Sequence, residues 1–195
     1  MENTIKNLAK AFVGESQARN RYTMYSKIAR DEGFEQIAEI FLLTADNERV
    51  HAKNFFKLIN ELKLKNPQGS YNPIIIETAV PTTMGTTIEN LKSAIAGENE
   101  EYTKLYPEFA NMAEQEGLVD MATRIRAIMV AEQHHEERYL KLLEVLESGK
   151  VFKKDIETHW VCRECGYVHF GTTPPDKCPS CDHEENFYQV KCETY

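Results

Sequence analysis

The chain has 195 residues, of which 42% are hydrophobic and 28% charged, values normal for a soluble globular protein of about one to one and a half ordinary domains. Asp plus Glu outnumber Lys plus Arg by 31 to 23 for a net charge of −8, which argues against a nucleic-acid binder and against electrostatic attachment to an anionic membrane. No apolar run approaches the roughly 20 residues that span a bilayer, and Met1 to Lys6 lack the apolar stretch of a signal peptide, so a cytoplasmic chain is expected.

The first 147 residues read as four long amphipathic helices, each of about 27 to 30 residues or roughly 40–45 Å. The first carries Ile5, Leu8, Phe12, Glu15, Ala18 and Tyr22 in steps of three and four. The second carries Ile37, Phe41, Thr44, Glu48, His51, Phe55, Leu58 and Leu62. The third, opened by capping-box spacing of Thr86 and Glu89, carries Ile88, Leu91, Ile95, Glu98, Tyr102, Leu105, Phe109 and Met112. The fourth carries Met121, Ile125, Ile128, Glu132, His135, Tyr139, Leu142 and Leu146. Gly33, Gly117 and Gly149 follow the first, third and fourth runs, as helix-terminating glycines do. Pro107 falls inside the third helix and is expected to kink it.

Residues 63–85, with Pro67, Gly69, Pro73, Pro81 and the β-like run Ile74 to Ile76, are too long for a hairpin. A long crossover is expected here, leaving the second and third helices roughly parallel. The sequence also repeats: Glu15 precedes Glu48 by 33 residues and Glu98 precedes Glu132 by 34, and each half pairs one core Glu with one core Glu-x-x-His. The expected fold is an all-α four-helix bundle over 1–147, a linker over 148–158 and a small second domain over 159–195.

Each apolar stripe is broken near its middle by a carboxylate. Residues three apart share a helix face, so Glu48 with His51 and Glu132 with His135 can each aim an oxygen and a nitrogen at one point. With Glu15 and Glu98, four carboxylates and two imidazoles converge at mid-bundle. A lone Glu at a helix position is usually a solvated surface residue. Four in core register, two of them with His at +3, reverse that reading, because burying these charges without cations would be costly. Mixed oxygen and nitrogen donors suit iron or manganese, and the set matches the ferritin-like di-metal arrangement. Glu101 reads equally as a seventh ligand group or as an exposed residue. His134 lies outside the register. Tyr22, Tyr102 and Tyr139 read as packing residues with hydrogen-bonded hydroxyls.

All five cysteines lie beyond residue 161. Cys162-x-x-Cys165 and Cys178-x-x-Cys181 form two pairs separated by 12 residues, a tetrathiolate signal for iron or zinc, and the fold of so small a domain should depend on that metal. A structural zinc ribbon fits the spacing equally. Cys192 is left without an assigned role, and His159, His169 and His183 read as ordinary polar residues.

Across nearly its whole length the sequence resembles the rubrerythrin family. The resemblance rests on Gly14 to Asn20, Asn47 to Ala52, Ala96 to Glu101 and Ala131 to His135, together with the C-terminal cysteine pairs, which are similar to a rubredoxin-type iron site. It implies that Glu48 and Glu132 bridge two irons, that Glu15 and Glu98 are terminal ligands, and that His135 binds one iron throughout. The other iron would exchange Glu101 for His51 on reduction. Tyr22 and Tyr106 align with family tyrosines that hydrogen-bond the carboxylates, and Val50 stands where a polar residue is expected. The resemblance also implies a non-haem di-iron peroxidase that reduces hydrogen peroxide to water in oxidative-stress defence. Its electrons would pass from a reduced pyridine nucleotide through a separate reductase or rubredoxin to the tail iron, held by Cys162, Cys165, Cys178 and Cys181, in a head-to-tail homodimer. A ferritin-type ferroxidase and a zinc-ribbon interaction module are the alternatives. The electron-transfer tail weighs against the first and the buried carboxylates against the second.

Overall fold

In a computed structural model, which describes residues 1–65 and 73–194, the chain forms a ferritin-like four-helix bundle with a small three-stranded tail. The bundle helices are α1 (Glu2–Asp31), α2 (Glu35–Lys65), α3 (Thr87–Glu100) continued through a π-helix (Glu101–Leu105) into α4 (Tyr106–Gln115), and α5 (Val119–Glu147). The capping box forms: the Thr86 hydroxyl accepts from the Glu89 amide, and the Glu89 carboxylate accepts from the Thr86 amide at 2.8 Å. Gly33 and Gly117 end their helices at φ of 83° and 78°, where a β-carbon would be strained.

Two apolar clusters fill the bundle. One joins Ile5 and Leu8 of α1, Phe55 and Leu62 of α2, Phe109 and Ala113 of α4, and Met121 and Ile125 of α5. The other joins Tyr25 and Ala29, Ile37 and Phe41, Leu91 and Ala94, and Tyr139. The start of α2 therefore packs beside the start of α3, and its end beside α4. These two helices run parallel, as a long crossover requires. Among the described crossover residues, Ile74 and Ile76 pack on the first cluster while Ile75 faces out, but no strand forms. With no neighbouring strand the backbone makes no ladder, and the Tyr25 hydroxyl instead donates to the Thr83 carbonyl at 2.8 Å. Pro67 and Gly69 lie outside the described residues.

The stripes of the first, second and fourth helices are buried largely as expected, but the third departs midway. Beyond Glu98 the core positions are Tyr106, Phe109, Ala110 and Ala113, while Tyr102, Leu105 and Met112 are only half-buried. The π-helix inserts one residue's worth of rotation, which moves the inward face on by one position. It also takes up the break expected at Pro107, which sits in the first turn of α4 immediately after it.

Glu116, just past α4, caps the start of α1. Its carboxylate accepts from the Thr4 amide at 3.0 Å and the Thr4 hydroxyl at 2.6 Å, and pairs with the Met1 ammonium at 2.9 Å. Burial opposes ionisation, but these partners hold its pKa near 2, below the ordinary 4.5. A depressed carboxyl pKa stabilises the fold above the unfolded value and loses that effect as pH falls through the folded one. Glu116→Gln is expected to cost about 1–2 kcal/mol at pH 7. In urea unfolding, the gap from wild type should close as pH drops from about 4.5 toward about 2; a gap independent of pH would contradict this account.

The tail is an antiparallel sheet in the order β2-β1-β3, with β1 Thr158–Cys162, β2 Val168–Gly171 and β3 Tyr188–Val190. Its buried core is Trp160, Cys162, Cys178 and Tyr188. The tail rests on the α1–α2 corner, where Phe152 stacks on Phe34 and Arg163 pairs with Glu39 at 2.6 Å.

Candidate metal centres

Between the two apolar clusters, Glu15 of α1, Glu48 and His51 of α2, Glu98 of α3, and Glu132 and His135 of α5 meet, all buried. His51 Nδ1 lies 3.0 Å from Glu48 Oε2, 2.8 Å from Glu132 Oε1 and 3.8 Å from Glu15 Oε2. His135 Nδ1 lies 3.0 Å from Glu48 Oε1, 2.9 Å from Glu132 Oε2 and 3.6 Å from Glu98 Oε2. Glu48 and Glu132 thus each turn one oxygen toward His51 and the other toward His135. Two four-residue donor sets result, sharing these two glutamates and completed by Glu15 on one side and Glu98 on the other.

The outer oxygens of the unshared glutamates are held by phenols: Tyr106 donates to Glu15 Oε1 and Tyr22 to Glu98 Oε1. The inner oxygens, Glu15 Oε2 and Glu98 Oε2, make no well-directed hydrogen bond, and neither do Glu48 Oε1, both oxygens of Glu132, or His135 Nδ1, whose close contacts are only with one another and with His51. Buried polar atoms are normally satisfied, so six such atoms meeting at one point could serve as donors to bound cations. Two divalent ions fit these residues.

The electrostatics carry the same message. Burial and the neighbouring Glu132 and Glu48 carboxylates push Glu15 well above the usual carboxylate range, and burial with Glu48 pushes Glu98 up to about 8. Burial alone would lower His51 and His135, but the Glu132 and Glu48 carboxylates override it and raise them to about 9 and about 12. Burial would raise Glu48, yet the two imidazoles bring it to about 2. In this arrangement protons on the imidazoles compensate part of the carboxylate charge, a role that cations fill more completely.

Glu101 is half-buried and belongs to neither set. Its Oε1 instead faces Gly14, where a β-carbon would lie 3.7 Å away. His134 is exposed. The Tyr22 hydroxyl is bonded as expected, but the Tyr139 hydroxyl is buried without a hydrogen-bond partner, and Tyr102 takes a long contact of 3.5 Å from Asn99 and interacts with the Glu136 carboxylate. Sequence reasoning missed Glu136, which is buried and bound by Asn99 at 2.9 Å. Its position four residues after Glu132 gives no separate signal.

In the tail the four sulfurs of Cys162, Cys165, Cys178 and Cys181 lie within 4.8 Å of one another, with Cys162–Cys181 and Cys165–Cys178 each at 3.7 Å. The two knuckles are alike. The Gly166 amide donates to the Cys162 carbonyl and the Asp182 amide to the Cys178 carbonyl, both at 2.9 Å, and both residues have positive φ. Four convergent sulfurs suit one tetrahedral iron or zinc ion. Cys192 is exposed and belongs to no such group.

Comparison with known proteins agrees with both halves. The rubrerythrin family pattern matches residues 6–143, and that of the rubrerythrin rubredoxin-like domain matches residues 160–189. Rubrerythrin-1 of Clostridium acetobutylicum is 48% identical, over 98% of this chain and 96% of that protein. Rubrerythrin of Nitratidesulfovibrio vulgaris is 42% identical, over 96% and 93%. A mixed-valence nigerythrin structure superposes with a TM-score of 0.62 at 30% identity, covering 96% of this chain and 86% of its own. With helices, buried donor sets and cysteine knuckles all in place along one chain, this protein belongs to the rubrerythrin family.

Proposed function

We propose that this protein reduces hydrogen peroxide to water, with two irons in the bundle and one in the tail. The observation that carries the reading is the sharing of Glu48 and Glu132 between two imidazole-centred donor sets, on a chain that also bears a one-ion cysteine site. Glu48 and Glu132 would span the two irons, Glu15 and His51 would complete one, and Glu98 and His135 the other. Bound iron supplies two electrons and the Lewis acidity that O–O cleavage needs. Tyr106 and Tyr22 fix the outer carboxylate oxygens, leaving the inner ones for ligation. Glu101 would alternate with His51, an anionic oxygen for a neutral nitrogen as the charge of the site changes. The balance is H2O2 plus two electrons and two protons to two waters. The electrons enter singly through Cys162, Cys165, Cys178 and Cys181 from a pyridine nucleotide by way of a separate reductase or a rubredoxin. We assign the bundle to residues 1–147, the linker to 148–158 and the electron-entry domain to 159–195, in a head-to-tail homodimer of the cytoplasm.

Anaerobic, iron-loaded, reduced protein mixed with hydrogen peroxide should consume one peroxide per two electrons lost. Reduced iron that persists in the presence of peroxide, or peroxide loss without electron loss from the protein, would overturn the reading. In the same assay His51→Ala should hold ferrous iron poorly and ferric iron normally, and Glu101→Ala the reverse. Equal retention of both states by both variants would remove the exchange.

A further inference from the structure

A chamber of about 290 Å³ opens beside the bundle centre, between α1, the π-helix and the crossover. Its α1 wall is a single helix stripe, Lys10, Gly14, Gln17 and Arg21, spaced by four, three and four residues. Glu101 and Tyr106 line the opposite wall. Tyr106 donates to Glu15, so the chamber reaches the His51 donor set through one hydroxyl. The outer wall is crossover backbone with the exposed side chains of Thr78, Ala79 and Pro81.

This space exceeds what hydrogen peroxide requires. A water molecule's share of liquid volume is about 30 Å³, so a peroxide takes on the order of two such shares. Much of the wall is apolar, from Ala11, Leu105, Phe109, Ala79 and Pro81. Arg21 lines the chamber, and its buried Nε makes no hydrogen bond that would tie the guanidinium elsewhere. Gly97 also lines the chamber, and a β-carbon there would be in ordinary contact with the guanidinium, 3.9 Å from Nη2. An apolar chamber with a few placed donors is the usual form of a small-molecule site.

Building on the peroxide-reducing reading, we infer that the chamber admits organic hydroperoxides, with the apolar wall taking the alkyl or aryl group and Arg21 donating to the peroxide oxygens. ROOH takes two electrons and two protons, the O–O bond breaks, and ROH and water leave. The electrons are those delivered through the tail cysteines.

The test uses full-length, iron-loaded protein with cumene hydroperoxide as substrate and its product alcohol, 2-phenyl-2-propanol, as a binding probe. Wild type should reduce cumene hydroperoxide, and the ferric protein should enhance the nuclear relaxation of the alcohol's methyl protons. Ala79→Trp or Thr78→Trp, on the exposed crossover, should fill the chamber. Each should lower kcat/KM for cumene hydroperoxide relative to that for hydrogen peroxide by about tenfold or more and remove the relaxation effect. Reduction of hydrogen peroxide but not of cumene hydroperoxide would overturn the inference and leave the peroxidase reading standing. If neither is reduced, the peroxidase reading fails, and the alcohol's relaxation still decides whether the chamber binds. Both Trp variants matching wild type toward cumene hydroperoxide would also overturn it.

Discussion

Replacing Cys162 and Cys165 by Ser is expected to unfold the tail and abolish peroxide turnover with any donor that enters through it. The buried core of this domain is four side chains, two of them cysteines, on a three-stranded sheet. A structural tetrahedral metal contributes on the order of 10 kcal/mol, more than so small a core can supply. The bundle has its own donor sets and apolar clusters and should keep its iron. Circular dichroism should show the helices intact, and metal analysis should show loss of the tail ion alone. Loss of bundle iron with the helices intact would contradict two independent sites. Mixing such chains with Glu132→Ala chains tests the dimer. If electrons cross between subunits, the hybrid regains up to roughly half of the wild-type rate, since one of two symmetric pathways is restored. A verified, metal-loaded hybrid without activity would assign each tail to its own chain.

Glu132→Ala is expected to lose both bundle irons, because it withdraws an oxygen from each donor set at once. Affinity should fall by at least about 100-fold, the upper range seen when only an outer partner of a ligand is removed. The metal-free protein should also suffer. The Glu132 carboxylate faces both imidazoles, and removing one partner of a buried charge pair costs about 3–5 kcal/mol. Thermal unfolding of metal-free wild type and variant, with iron titrations of both, checks the two effects separately. Retention of one tightly bound iron would show that the glutamate is not shared.

The six principal donors in the bundle were legible because helix periodicity places them in the buried stripe and because charge in such a stripe demands an explanation. The cysteine spacing was legible for a simpler reason: each knuckle is local. What escaped was the part of the third helix beyond Glu98. An ideal 3.6-residue period assigns Tyr102 to the core, and only family resemblance pointed to Tyr106. The spacing of the two halves differs by one residue, but that difference alone does not say that a π-turn takes it up or where. Nor could Glu116, 112 residues from the Thr4 amide it caps, be found without the bundle that brings them together. The Arg21 chamber escaped likewise, since its outer wall is a crossover with no periodic signal.

The π-turn also coincides with the one place where the two halves of the bundle differ in length. Glu15 precedes Gly33 by 18 residues, and Glu98 precedes Gly117 by 19. From each glycine to the next core glutamate, Glu48 or Glu132, the interval is 15 in both halves. The two halves of this duplicated hairpin therefore differ by one residue, and that residue lies in the stretch containing the π-helix. Tyr22 follows Glu15 by seven residues and Tyr106 follows Glu98 by eight, so the two phenols are counterparts once the extra residue is discounted. Each donates to the glutamate of the other half, a reciprocal exchange with the twofold pattern of the repeat. An inserted residue inside a helix ordinarily turns everything after it by about 100°. Here the wider turn takes up that rotation, so Tyr106 reaches Glu15 as Tyr22 reaches Glu98, and the π-turn at Glu101 has no counterpart in the first half. The asymmetry of an otherwise twofold site thus traces to a single codon's worth of chain.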